Sequence, residues 1–243
     1  MSTIKIINNQ TDEHKVNIGN NTLAFMSSQT KLDDEGKTIV IDEAMHILRK
    51  CIAPGVKSDI TNIAVGYVQS GKTLSFTTLT ALAADNGYRI VIYLTGTKTN
   101  LQSQTTKRLR NDLEVDESDT YRLYSDIDKD VNVANNVSNF LTKTKEVLLF
   151  PILKHYMHIN RLADIFNDIA PVIEKMGAII IDDEADQSSF NTYARKNART
   201  KGEWEEDEYS RTYSAIINLK KSLPSHSYVQ YTATPQAAFL IDN

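Results

Sequence analysis

Residues 66–73 read GYVQSGKT: a glycine, four residues, then Gly-Lys-Thr. Those types at that spacing suit the capture of a phosphate chain. Backbone N–H groups can wrap an anion only where side chains leave room, which calls for glycine. Gly66, Gln69, Ser70 and Gly71 would form that cradle, Lys72 would reach the outer phosphates, and the Thr73 hydroxyl would complete a Mg²⁺ shell. A glycine-containing turn with an exposed lysine would carry the same letters. The surroundings favour the cradle: a β-branched run (62–68) precedes it and a stretch with helical spacing (72–87) follows. The start of that helix would add the positive end of its dipole.

Two further stretches carry oxygen ligands. AIIIDDEADQ sets a run of isoleucines ahead of Asp182, Asp183, Glu184 and Asp186. A carboxylate at the end of a buried strand can hold Mg²⁺, and a neighbouring glutamate can orient or deprotonate a water. YVQYTATP ends a strand on Thr232, Ala233 and Thr234, whose two hydroxyls could bond to the acidic stretch.

These groups need a scaffold that brings distant stretches to one edge. From Pro54 onward short apolar runs alternate with helical patterns. Strands are expected at 62–68, 88–96, 146–153, 178–186 and 227–235. Helices are expected at 72–87, 100–113, 158–177 and 213–223. Such alternation predicts an α/β fold with a mostly parallel central sheet flanked by helices, in which ligands bind at the carboxyl ends of the strands. Before it, residues 1–55 read as a small N-terminal helical extension. STIKII could be a short strand, 27–37 reads as a solvated linker, and Ile39, Ile41, Ala44, Ile47 and Leu48 recur at helical spacing.

The chain has 243 residues, 41% hydrophobic and 24% charged, with a net charge of −4, so no global basic field argues for nucleic acid and any such contact must be local. Cys51 is the single cysteine, which excludes an internal disulfide and fits a reducing compartment. It closes an amphipathic helix and reads as a packing residue. The N-terminus lacks the pattern of a signal peptide, and no apolar run has the length of a membrane span. A cytoplasmic protein is the expectation.

The order GKT, DEAD, TAT resembles motifs I, II and III of superfamily-two helicases, over about residues 60 to 240, one RecA-like P-loop domain. VGYVQSGKT, LTGTKTNLQSQT, DDEADQSSFNT and YTATPQAAFLID together are similar to the helicase-like ATPase region of prokaryotic proteins that carry the Z-one domain and are described as endonucleases. The resemblance implies ATP and Mg²⁺ as ligands and residues 56–243 as the first motor domain. It implies Lys72 on phosphate, Thr73 and Asp183 on the metal, and Glu184 activating water. Asp186, Thr232 and Thr234 would couple hydrolysis to motion. Two positions depart from the common pattern: Gln69 stands where many helicases have glycine, and Gly66 where they have alanine. No adenine-reading glutamine motif is identifiable.

TGTKTNLQSQT (95–105) occupies the place of motif Ia, and Thr97, Asn100 and Gln104 are candidate nucleic-acid contacts there, although an ordinary N-capped helix reads the same. Lys107, Arg108 and Arg110 add a small basic cluster, and Lys154 is a further nucleic-acid candidate. The resemblance implies a second RecA-like domain that brings an arginine to the terminal phosphate. The leading expectation is a nucleic-acid-dependent motor domain, with DNA as the expected nucleic acid, within a restriction or defence endonuclease. A nucleotide-gated switch that works on a partner protein uses the same residues. A small-molecule kinase is disfavoured by the DEAD and TAT pair.

Overall fold

A computed structural model describes residues 5–7, 14–65, 69–125, 127, 132–183 and 208–232. Among the described residues, seven strands form a single sheet: β1 (Lys5–Ile7), β2 (Asp59–Val65), β3 (Ile90–Thr95), β4 (Tyr121–Leu123), β5 (Val147–Leu153), β6 (Ala178–Asp183) and β7 (His226–Thr232). Their spatial order is β1-β2-β7-β6-β3-β5-β4. All neighbours pair in parallel except β1, which runs antiparallel to β2 at the edge. The expected α/β class is therefore observed. Strands β3, β5 and β7 are buried along their whole length, as a sheet covered on both faces requires.

Alternate residues of each strand serve two layers. Val91, Tyr93, Ile179, Ile181, Val229 and Tyr231 face one cluster, which they share with α1 (Asn20–Ser28), α2 (Asp34–Arg49), α3 (Gln69–Asp85) and α4 (Thr99–Asp112). Ile90, Ile92, Leu94, Ala178, Ile180 and Tyr228 face the other, with α5 (Val133–Lys143), α6 (Tyr156–Asp168), α7 (Ala170–Ile173) and α8 (Glu208–Lys221). Even-numbered positions of β6 thus look toward α6 and α8, and odd-numbered positions look toward α3. This parity decides what each aspartate at the end of β6 can do.

The helix after the expected cradle is itself a core element. Thr77, Thr78 and Thr80 of α3 are fully buried. Their hydroxyls donate to the carbonyls of Thr73, Leu74 and Phe76 at 2.7–2.8 Å, so no polar group is left unmet. The helix ends at Asn86-Gly87, where Gly87 takes φ +83°, a conformation that costs a side-chain-bearing residue and lets the chain turn into β3.

Helix α1 lies where the sequence reads only as polar chain. Its own N-cap, Gly19, offers no side chain. Asp85, at the end of α3, substitutes from across the core. Its carboxylate accepts from the backbone N–H of Gly19 at 2.9 Å and of Asn21 and Thr22 at 3.0 Å. A negative charge at the positive end of α1 also complements the dipole. The N-terminal helices therefore share a core with α3. Helix α2 starts at Asp34, inside the stretch expected as linker, because Asp33 caps it by accepting from the Gly36 N–H at 2.8 Å. Among the described residues, no helix is long and apolar enough to cross a membrane.

Candidate functional site

Strand β2 ends at Val65 and helix α3 begins at Gln69, at the carboxyl edge of the sheet. The register sets Val65 beside Thr232 and Asp183 beside Tyr231. The three stretches singled out in the sequence therefore meet at one edge, with the TAT strand β7 lying between the GKT strand and the acidic strand β6. Gln69, Ser70 and Gly71 form the first turn of α3, so the helix starts three residues earlier than its spacing suggests. Gly66, Glu184, Asp186 and Thr234 lie outside the described residues.

Lys72 projects from that first turn. It is only 9% exposed, and its ammonium lies 3.9 Å from Oδ1 of Asp183. The Asp183 side chain is 35% exposed, so it keeps contact with solvent. Thr73 follows, and its hydroxyl accepts a hydrogen bond from Nη1 of Arg108 on α4 at 2.9 Å. The ammonium of Lys72 and the half-exposed carboxylate of Asp183 thus approach each other near the start of α3, with the Thr73 hydroxyl on the next residue. This is a donor set for a phosphate chain and a hard oxygen-seeking cation. Behind it, Ser75 of α3 and Tyr231 of β7 share a hydrogen bond at 3.2 Å. Burial pushes the Tyr231 phenol above its ordinary pKa, so it acts here as a neutral hydroxyl. Thr232 is 1% exposed and belongs to the packed end of β7.

The second aspartate of the pair has another role. Asp182 is fully buried, and Lys154, 2% exposed, is its ion-pair partner. Tyr228 of β7 donates its hydroxyl to the same carboxylate. Lys154 also donates to the main-chain carbonyl of Asp183 at 2.7 Å. This corrects the expectation that Lys154 contacts nucleic acid. The residue follows β5 at an even position, like Ile152, and so enters the α6–α8 layer where Asp182 needs a counter-charge. Its ammonium is committed inside the protein, with no face toward a phosphate backbone.

The remaining nucleic-acid candidates do lie at the surface. Thr97, Asn100 and Gln104 are exposed on and just before α4. Gln102 anchors this helix by donating to the carbonyl of Pro151 at 2.9 Å. The basic cluster disperses: Arg110 pairs with Asp116 at 2.5 Å, Arg108 turns to Thr73, and Lys107 is exposed. Cys51 is buried, and desolvation pushes its thiol up to about 12, as a packing residue requires. Among the described residues no group of His, Cys, Asp and Glu forms a metal cluster. Tyr228 is a site neighbour that sequence reasoning passed over, and Arg108 reads there only as one member of a basic cluster. Strand parity would have paired Tyr228 with Asp182, whereas nothing local points Arg108 at Thr73.

No known protein family matches this chain, and no curated protein does. Among solved structures, a chain of Drosophila ORC bound to DNA is similar at 12% identity. The likeness covers 71% of this chain and 82% of that one, with a TM-score of 0.24. An overlap that loose adds nothing to what the sheet order and the Lys72–Asp183 geometry already state.

Proposed function

We propose that this chain is the nucleotide-binding motor domain of a nucleic-acid-dependent ATPase, with residues 56–243 as the first RecA-like unit and 1–55 as its extension. The observation that carries the reading is the approach of Lys72 to Asp183, 3.9 Å, at the start of α3. Lys72 would bind the outer phosphates of ATP, and the backbone of Gly66, Gln69, Ser70 and Gly71 would cradle them. Thr73 and Asp183 would hold Mg²⁺, which supplies charge neutralisation on the phosphates during transfer to water. Glu184 would orient that water. Asp186, Thr232 and Thr234 would report the nucleotide state to the rest of the motor.

Thr97, Asn100 and Gln104 would meet a nucleic-acid backbone, DNA by preference, and a second RecA-like domain would complete the ATP site. A place within a restriction or defence endonuclease follows from the sequence resemblance. The test is titration of the 243-residue chain with ATP–Mg²⁺, followed by phosphate release. Weak binding and very slow hydrolysis are expected, with binding lost in Lys72→Ala. Brisk DNA-stimulated turnover by this chain alone would overturn the need for a second domain. Equal nucleotide affinity in the Lys72→Ala variant would overturn the assignment of the site.

A further inference from the structure

We infer that Arg108 is a ligand for the terminal phosphate supplied by this domain itself, which lets the site tell a nucleoside triphosphate from a diphosphate. The inference rests on the nucleotide-site reading above and adds a residue to it. Helix α4 begins at the carboxyl edge of the sheet, directly after β3, and runs away from it. Side chains of a helix lean back toward its N-terminus, so a long residue in the third turn reaches toward the edge where the nucleotide would sit. Leu109 is fully buried and fixes the rotation of α4 about its axis. With that rotation Arg108 extends to Thr73, and its Nη1 donates to the Thr73 hydroxyl at 2.9 Å.

Thr73 is the residue beside Lys72, and its hydroxyl is the one assigned to the metal. A guanidinium at this hydroxyl would therefore lie beside the outer phosphates of a bound nucleotide. Arg108 is exposed and carries five N–H donors in a planar fork, of which the Thr73 contact uses one. Phosphate oxygens are better acceptors for that fork than a neutral hydroxyl, because the bond becomes charge-assisted and two-pronged.

Charge supports the same direction. Asp112, one turn further along α4, is the acid in whose field Arg108 lies. It is half-buried, and desolvation raises its carboxyl pKa, with Arg108 opposing the rise. Asp112 therefore attracts the Arg108 side chain, while the guanidinium donates to Thr73. Arg108 thus meets the hydroxyl of Thr73 while Lys72, the preceding residue, faces the carboxylate of Asp183. A metal entering at Thr73 would repel the guanidinium unless an anion came with it. The triphosphate brings that anion, and the terminal group is the one that a diphosphate lacks.

Calorimetric titration of the 243-residue chain with ATP–Mg²⁺ and with ADP–Mg²⁺ tests this, in wild type, Arg108→Ala, Arg108→Lys and Lys72→Ala. Loss of a bidentate charged contact should weaken ATP about tenfold or more in Arg108→Ala. ADP should change by no more than about twofold, since it lacks the contacted group. Arg108→Lys should fall between, because it keeps the charge and loses the fork. Thermal melting of each variant confirms that the exposed substitution leaves the fold intact. Equal weakening of both nucleotides, or none of either, would overturn the proposal while leaving the site standing, provided Lys72→Ala abolishes binding. A wild-type chain that binds neither nucleotide would overturn the site and this proposal together.

Discussion

Two lysine–aspartate pairs stand side by side at the end of β6, and they differ in burial and in closeness. Lys154 and Asp182 are buried, in direct contact, and buttressed by Tyr228. Lys72 and Asp183 are 3.9 Å apart, and the carboxylate is 35% exposed. The two aspartates are consecutive in the sequence. The pleat of the strand sends the first into the α6–α8 layer and the second toward α3, so adjacent identical side chains fall into different environments. The buried pair is closed and leaves no site for a ligand. The half-exposed pair is looser, and its carboxylate stays open to solvent. Through the bond from Lys154 to the Asp183 carbonyl, the closed pair also holds the backbone from which the open one projects.

Substitutions should separate the two pairs, and the largest effect belongs to the buried one. Lys154→Met leaves the Asp182 charge without its counter-ion, and Asp182→Asn leaves the Lys154 charge in the same state. Each should cost about 3–5 kcal/mol in urea unfolding. The double change Lys154→Met with Asp182→Leu should recover most of that loss, because a dry apolar contact replaces a desolvated ion pair. Recovery that fails would mean that the pair does more than neutralise itself. Next in size is Lys72→Ala. It should abolish measurable ATP–Mg²⁺ binding, a loss of about a hundredfold or more, while shifting the melting temperature little. Destabilisation as large as that of Lys154→Met would erase the contrast between the pairs.

Smaller effects sharpen it. Tyr228→Phe removes one hydrogen bond to the buried carboxylate and should cost about 1–3 kcal/mol in stability. The same strand offers a pH test at its other end. His226 is 3% exposed, and its Nδ1 lies 2.8 Å from the Leu223 carbonyl. Burial holds its pKa below 6.5, with Lys220 adding to the depression and Asp59 opposing it. The unfolded chain therefore takes up this proton first. The stabilising contribution is complete above pH 6.5 and is lost as pH falls toward the folded-state value. The slope should not exceed about 1.4 kcal/mol per pH unit, and His226→Gln should flatten it. Smallest is the Cys51 thiol, pushed up to about 12 by burial. It should react with an alkylating probe only as fast as the protein unfolds, whether or not nucleotide is present.

Much of the scaffold was legible before any coordinates. The strands β2, β3, β5, β6 and β7 announce themselves as apolar runs, because a sheet covered on both faces needs no polar side. Their parallel order follows from the helices between them. The missing elements have identifiable causes. Helix α1 is capped by Asp85, which is 64 positions away from Asn21, so no local signal marks its start. Strand β4 has three residues and no room for a pattern. Helix α5 does carry a stripe, Val133, Val137 and Leu141, but it is diluted by asparagine, serine and threonine.

The site was legible in its letters and not in its parity. Asp182 and Asp183 look equivalent until the pleat assigns them to different layers. Lys154 looked like a surface cation because its partner lies on another strand. Arg108 was visible only as part of a basic cluster, and its reach to Thr73 depends on how α4 packs beside α3.

The central claim is that Asp183, and not its neighbour, faces the metal of a nucleotide site. The direct measurement is nucleotide affinity with and without Mg²⁺, in wild type and in Asp183→Asn, with melting followed in parallel. Mg²⁺ should strengthen ATP binding in wild type, and Asp183→Asn should remove that strengthening while melting near the wild-type temperature. An unchanged Mg²⁺ dependence in Asp183→Asn would contradict the account.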